Sequence, residues 1–156
     1  MPDAIPVQLA QDSPHIPALL TLIKQSFAFM EGRIDPPSSM HRLTLDKIRA
    51  QCSSGEVWAI GQPPFACIFL SEKGNRLYIG KIAVAPEHRG HGHARRLVEL
   101  AEKRAQERGL NDLELETRIE LTENHETFRR LGFEKVREGH HDGFKRPTYI
   151  VMRKPV

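Results

Sequence analysis

The chain has 156 residues, 39% of them hydrophobic and 28% charged, and this balance indicates a globular domain rather than a disordered segment. The net charge of +3 includes no basic block, so nucleic-acid binding gains no support. There is no apolar run of roughly 18 residues and no basic signal region, and the two cysteines, Cys52 and Cys67, lie far apart. We therefore expect one domain over residues 1–156, in the cytoplasm and without a membrane partner.

The first half of the chain predicts a short strand, two helices and a hairpin. Ile5, Val7 and Leu9 alternate as in a strand, and Asp12 is the expected N-cap of a helix that ends near Phe27. The stretch 29–42 has no periodicity and is rich in glycine and proline, which is typical of a functional loop. Thr44 is placed to cap a second helix, and strands at 56–60 and 65–70 follow around a Gly-Gln-Pro-Pro turn.

The second half predicts a strand at 77–84, a long helix with Gly109 at its end, and a strand at 113–117. Thr122 is the expected cap of a short helix that Gly132 closes, and two further strands cover 133–136 and 148–152. A strand, a long helix and a second strand favour a parallel pair with a crossover connection. This order predicts a mixed α+β sheet with helices on both faces.

The most informative segment lies between the predicted strand 77–84 and the long helix, and it contains Gly90 and Gly92. Free N–H groups at the start of a helix, next to glycines that allow close approach, form an anion site. The segment lacks the Lys-Ser/Thr pair of a Walker loop, and Arg95 stands where a dinucleotide-binding loop has its third glycine. We expect it to bind a phosphate group of another kind.

The pattern R-x-x-G-x-A at Arg89, Gly92 and Ala94 resembles the pyrophosphate loop of the GNAT (GCN5-related) N-acetyltransferase superfamily. About 30 residues further on, Asn124 and the run Phe128-Arg-Arg-Leu-Gly-Phe133 resemble the family's next helix. The closing segment, with Arg146-Pro-Thr148, is similar to that of small bacterial members. The resemblance extends from Leu77 to the end, whereas the first 75 residues match only in the order of elements.

This resemblance implies a GNAT fold, in which a mostly antiparallel sheet of about six or seven strands contains one parallel pair splayed for acyl-CoA. It also implies acetyl-CoA as co-substrate and transfer of the acetyl group to a primary amine, by direct attack of the amine on the thioester. The alternative is an acyl-CoA-binding regulatory or sensor domain with little or no turnover.

The resemblance carries the following residues into the cofactor site: Ile82, Ala83, Val84, Arg89, Gly90, His91, Gly92, His93, Ala94, Arg95, Asn124, Phe128 and Arg130. Val84 is the expected backbone donor to the oxyanion of the reaction. The sequence departs from the family at two catalytic positions, because Phe128 replaces a tyrosine acid and Tyr78 replaces a glutamate base. His125, Tyr149 or a water molecule remain alternatives for proton transfer.

Histidines 88, 91 and 93 suggest either a metal site or imidazoles that flank an anion. No cysteine or carboxylate accompanies them at ligand spacing, so we expect no metal. The sequence does not name the acceptor amine, which is a small molecule or a peptide. Glu31, Asp35 and His41 in the aperiodic loop are available to receive it, and homodimer formation stays open.

Overall fold

A computed structural model describes residues 5–156 and contains seven strands and four α-helices. The strands are β1 (Val7–Gln8), β2 (Glu56–Ile60), β3 (Ala66–Lys73), β4 (Arg76–Val84), β5 (Asp112–Arg118), β6 (Glu134–Gly139) and β7 (Tyr149–Pro155). The helices are α1 (Ile16–Phe27), α2 (Leu45–Ser54), α3 (His93–Glu107) and α4 (Thr122–Arg130). Short 3₁₀ helices at Ala28–Met30, Ser39–Arg42 and Pro86–His88 interrupt the loops.

The strands form one sheet in the order β1-β2-β3-β4-β5-β7-β6. All neighbouring strands run antiparallel except β4 and β5, which are parallel and are connected through α3. The predicted α+β fold with a single parallel pair is therefore confirmed. No helix within residues 5–156 is both long and apolar enough to span a bilayer.

The core has two layers because side chains alternate across the sheet. On one face, β4 and β5 place Leu77, Ile79, Leu113 and Leu115 against the apolar stripe of α3. On the other face, Val57, Cys67 and Phe69 pack against α1 and α2. The regular spacing of apolar residues in these elements explains why their positions follow from the sequence.

The predicted helix caps had different outcomes. Thr44 is the N-cap of α2, and its hydroxyl accepts a hydrogen bond from the Lys47 N–H at 3.2 Å. The prediction for Asp12 is wrong, because it lies in a turn and α1 begins only after His15, with no side-chain cap. The prediction for Thr122 is also wrong, because Leu121 is the N-cap and Thr122 is already helical.

A β-bulge at Gly80 changes which side chains of β4 point into each of the two core layers. Phe69 pairs with Lys81 and Leu70 pairs with Ile79, so Gly80 is the extra residue on β4. One inserted residue reverses the alternation beyond it. Ile82 and Val84 consequently pack towards α3, like Leu77 and Ile79 before the bulge.

A buried carboxylate connects the sheet to α3. Glu56 on β2 is 2% exposed, and its oxygens accept hydrogen bonds from Arg104 Nε at 2.8 Å and Trp58 Nε1 at 2.7 Å. Arg108 also pairs with Glu56. Burial alone would raise the pKa of this carboxyl, but the hydrogen bonds from Arg104 and Trp58 and the charge of Arg108 lower it from 4.5 to about 2.

We expect Glu56→Gln to lower the free energy of unfolding by about 3 kcal/mol at pH 7, because it leaves two arginines without their buried counter-ion. The carboxylate stabilises the fold above pH 4.5, and this contribution is lost as the pH falls towards 2. Urea unfolding at pH 7 and pH 3 should show that the deficit of the variant shrinks at pH 3.

The matched control is Glu107→Gln, which removes an exposed partner of Arg104 and should change stability by about 0.5 kcal/mol or less. An equal deficit at both pH values in Glu56→Gln would contradict this account of the buried cluster.

Candidate active site

The two parallel strands separate halfway along their length. Pairing covers Arg76–Ile79 on β4 and Asp112–Leu115 on β5, and it ends at the Ile79–Leu115 pair. Beyond this point β4 pairs only with β3, and β5 pairs only with β7. The result is a V-shaped gap whose apex lies beside the bulge at Gly80.

The β4 side of this gap presents backbone groups that the sheet does not use. The Ala85 N–H donates to the carbonyl of Phe65, the residue before β3, at 2.8 Å. Because hydrogen-bonding directions alternate along a strand, the N–H groups of Ile82 and Val84 face the gap, whereas Ala83 faces β3. An extended ligand can therefore pair with Ile82 and Val84 but not with the amide of Ala83.

The glycine loop follows β4 and leads directly into α3. Gly90 and Gly92 have φ angles of +83° and +81°, which favour glycine, and a β-carbon built on Gly90 would meet no atom within 4 Å. The first hydrogen bond of α3 runs from the Arg96 N–H to the Gly92 carbonyl at 3.1 Å. The N–H groups of residues 93–95 precede this bond and point towards the loop.

Two adjoining cavities occupy the gap and the loop. The larger, of about 550 Å³, lies between the end of β4, the end of α1 and α4. Its lining includes Ser26, Phe27, Phe29, Arg33, Ile82, Ala83, Val84, Arg89, Ala94, Glu123, Asn124, Thr127, Phe128 and Leu131. The smaller, of about 260 Å³, is lined by Val84, His88, Arg89, Gly90, Gly92, His93, Ala94, Arg95, Thr127, Arg130 and Leu131.

The cavities bring together most of the cofactor residues that the sequence predicted. Asn124 and Phe128 line the larger cavity beside Ile82 and Val84, and Arg95 and Arg130 line the smaller one. His91 lines neither cavity. The residue is exposed, and its carbonyl accepts a hydrogen bond from Arg96 Nη1 at 2.8 Å.

The Arg89 side chain is not free to bind a phosphate group, because it already donates hydrogen bonds to two backbone carbonyls. Its Nε donates to the Val84 carbonyl at 3.2 Å and its Nη2 to the Ser26 carbonyl at 3.4 Å. The guanidinium thus fastens the end of α1 to the end of β4. Arg89 lines both cavities and therefore lies where they adjoin.

The predicted proton-transfer residues are not brought together. Phe128 lines the larger cavity and packs edge-on against Phe133, with ring centroids 5.9 Å apart. His125 lies away from this cavity, and its Nε2 is 2.9 Å from the Arg118 carbonyl oxygen. Tyr78 lies on the opposite face of the sheet, where burial and the charges of Glu116 and Glu114 raise its pKa.

The loop histidines form an aromatic cluster rather than a ligand set. Phe65 stacks on His88 with a centroid distance of 4.0 Å and also contacts His93 at 4.9 Å. His93 Nδ1 is 3.1 Å from Arg96 Nη1, which can only donate, so this nitrogen accepts. Burial, together with Arg96, His88 and His91, lowers the pKa of His93. Within residues 5–156, no group of three or more ligating side chains is arranged to hold a metal ion.

Sequence reasoning missed the residues that the end of α1 and the aperiodic loop bring to the larger cavity. Ser26, Phe29 and Arg33 line it, and Arg33 pairs with Glu123 of α4 at 2.7 Å. The unusual length of the loop was the only signal for them. A wider depression of about 1160 Å³ lies between α1, β1 and the β2–β3 turn, and His88 is the one lining residue that it shares with the two cavities described above.

Comparison with known proteins agrees with this geometry. The profile of the acetyltransferase (GNAT) family matches residues 29–133. A crystal structure of nourseothricin acetyltransferase shares 30% identity over 65% of this chain and 65% of that chain, with a TM-score of 0.58. The PaiA N-acetyltransferase of Thermoplasma acidophilum, in complex with coenzyme A, shares the fold at 13% identity over 97% and 98% of the two chains, with a TM-score of 0.79.

The ribosomal-protein-S18-alanine N-acetyltransferase of Escherichia coli gives a TM-score of 0.68 at 18% identity, over 97% of this chain and 94% of that chain. Comparison with curated proteins finds no significant match. The family match covers more than half of the sequence, so the chain belongs to the GNAT acetyltransferase family. Membership of this family makes the chain an N-acetyltransferase.

We expect Gly92→Val to weaken CoA binding at least tenfold, or about 1.4 kcal/mol. A β-carbon at this position would meet only Arg96 Nη1, at 3.7 Å, so a larger side chain projects into the space above the loop. Calorimetric titration with CoA measures the effect.

Gly74→Val is the matched control, because Gly74 also has a positive φ (+59°) and free space around it but lies in the β3–β4 turn. It should share the backbone strain and bind CoA normally. Unchanged CoA affinity in folded Gly92→Val would remove the loop from the cofactor site.

Proposed function

We propose that residues 1–156 form a single acetyltransferase domain that transfers the acetyl group of acetyl-CoA to a primary amine by direct attack on the thioester. The observation that carries this proposal is that the gap between β4 and β5 and the glycine loop open into adjoining cavities. An extended arm and its pyrophosphate require these two features side by side.

The backbone supplies most of the binding groups in this proposal. The backbone N–H of Ile82 pairs with the pantetheine arm, Val84 follows at the thioester end, and the N–H groups of residues 90–94 hold the pyrophosphate. Arg95 and Arg130 line the loop cavity and are placed to balance the remaining phosphate charge. Asn124 and Phe128 contact the sulfur end of the arm.

The reaction needs a lone pair on the amine, a donor for the developing oxyanion and a stable leaving group. The Val84 N–H is the proposed oxyanion donor, because it lies at the end of β4 and faces the gap. Attack of the amine nitrogen forms the C–N bond, the C–S bond breaks, and the thiolate leaves. Holding the two reactants together supplies much of the rate enhancement.

The acceptor in this proposal is a small-molecule or peptide amine, and the protein acts in the cytoplasm. Cys52 and Cys67 are both free thiols, which suits a reducing compartment. The small net charge of +3 gives no reason to expect a nucleic-acid partner.

An acyl-CoA sensor is the second candidate, and one observation favours it. Phe128 lines the larger cavity where many family members have a tyrosine acid, and its ring has no proton to donate. Thiol release from acetyl-CoA over a panel of primary amines, with a parallel CoA titration, separates the two functions. Turnover with any amine supports the enzyme, whereas CoA binding without turnover supports the sensor.

We expect Phe128→Tyr to raise kcat, most strongly at low pH, because a thiolate is then hardest to expel and a new hydroxyl can protonate it. Phe128 is half-buried and lines the cavity, so the added oxygen has space to enter it. Steady-state rates between pH 6 and 9 test this.

Phe133→Tyr is the matched control, since Phe133 is fully buried and packs against Phe128. The same oxygen there should cost about 1–3 kcal/mol of stability and bring no gain in rate. A loss of stability without a rate increase in Phe128→Tyr would contradict the position assigned to its ring.

A further inference from the structure

The loop before α3 and the first turn of this helix carry an excess of basic side chains. Three histidines and three arginines stand in residues 88–96: His88, Arg89, His91, His93, Arg95 and Arg96. None of them forms an ion pair within the described residues 5–156, and the first turn of α3 has no acidic residue. Because the start of a helix favours negative charge, these side chains repel the helix dipole and one another until an anion binds.

His93 is the buried member of this basic group. Its side chain is 9% exposed, and its ring centroid lies 4.9 Å from that of Phe65 and 6.4 Å from that of His88. Its Nδ1 is 3.1 Å from Arg96 Nη1, which also donates to the His91 carbonyl. Since an arginine can only donate, the His93 Nδ1 keeps a lone pair and the ring is neutral.

The charged groups around His93 are positive on each element that packs against it. Burial, Arg96 on the same helix, His88 on the preceding 3₁₀ helix and His91 on the loop all lower the pKa of His93. Phe65, from the β2–β3 turn, brings no charge. The other charged side chains that line the loop cavity are arginines of the loop, of α3 and of α4: Arg89, Arg95 and Arg130.

A pyrophosphate at the loop would reverse this balance. The backbone N–H of His93 is one of the free groups at the start of α3, so a phosphate held by these groups lies beside the residue. The cavity lining includes no carboxylate, and Glu87 lines the wide depression instead. Negative charge at this position favours the protonated imidazole, because opposite charges attract.

We propose that His93 is a proton-dependent phosphate-binding residue: the pyrophosphate of the cofactor draws a proton from solvent onto its Nδ1, and the imidazolium then strengthens cofactor binding. This inference rests on the proposed function, because it places the pyrophosphate in the loop cavity. The new proton occupies the lone pair that accepts from Arg96, so Arg96 leaves His93 and keeps the His91 carbonyl. By linkage, cofactor affinity falls as the pH rises through the pKa of His93 in the complex.

Dephospho-CoA is the probe, because it lacks the 3′-phosphate of CoA, which titrates with a pKa of about 6. NMR titration of the histidine ring C–H signals between pH 5 and 8 gives the pKa of His93 with and without saturating dephospho-CoA. This pKa should rise by about one unit or more in the complex. The measurement uses wild-type protein alone, so it does not depend on the folding of a variant.

Calorimetry measures the same coupling from the ligand side. Wild-type protein should bind dephospho-CoA about threefold or more tightly at pH 6 than at pH 8. In His93→Asn, whose amide oxygen can still accept from Arg96, this preference should fall below about 1.5-fold, because the group that takes up the proton is gone.

His140→Asn is the matched control, since His140 is an exposed histidine of the β6–β7 connection and lines neither cavity. It should keep the pH dependence of the wild type. An unchanged or lower pKa of His93 in the complex, or a full pH dependence in His93→Asn, would overturn this inference while dephospho-CoA binding still supports the proposed function. Failure of both CoA and dephospho-CoA to bind would refute both proposals.

Discussion

The site depends on one constraint, which is that the single parallel strand pair found within residues 5–156 stops halfway. Hydrogen bonds between β4 and β5 end at Ile79 and Leu115, although both strands continue. A buried backbone group without a partner costs about 1–3 kcal/mol, so the sheet stays open only where a ligand or water replaces the missing strand. The N–H groups of Ile82 and Val84 therefore have no partner strand, and they are the groups that we propose to bind the acyl-CoA arm.

The bulge at Gly80 determines which side chains of β4 pack into each core layer beside this open edge. Without the extra residue, Lys81 and Ala83 would face α3, and Ile82 and Val84 would face α1. With it, the apolar side chains of Ile82 and Val84 join the α3 layer, and Ala83 fills the space under α1. The strand thus stays packed on both faces where its pairing with β5 is lost.

The aperiodic loop between α1 and α2 completes the larger cavity and is held by polar contacts at its rim. Arg33 pairs with Glu123, Asp35 pairs with Arg146 at 3.0 Å, and the Asp35 N–H donates to Glu120 at 3.1 Å. Exposed pairs of this kind contribute about 0–1 kcal/mol each. The middle of the loop is held more firmly, because Arg118 donates to the carbonyl oxygens of Pro36 at 2.6 Å and Pro37 at 3.1 Å and the Met40 side chain is buried in the core.

The sequence predicts well what local pattern determines and poorly what distant contacts determine. The Thr44 cap follows from its own turn, whereas Asp12 and Thr122 fail as caps because packing decides where α1 and α4 begin. The bulge at Gly80 does have a local signature, a glycine at which the large apolar residues change from odd to even positions, but reading the segment as one regular strand missed it.

Sequence comparison is also limited at the family's catalytic positions. A motif match shows that Phe128 stands in place of a tyrosine, but it does not show which group takes over the tyrosine's role as an acid. In the larger cavity, the Thr127 hydroxyl donates to the Glu123 carbonyl at 3.0 Å, and Asn124 is a further polar side chain of the lining. An ordinary thiol has a pKa of about 8.5, within about two units of neutrality, and each unit corresponds to about 1.4 kcal/mol. A thiolate is thus an acceptable leaving group without a strong acid. In the proposed mechanism, the absence of a tyrosine at position 128 should therefore lower the rate without abolishing the reaction, provided that the Val84 N–H stabilises the oxyanion.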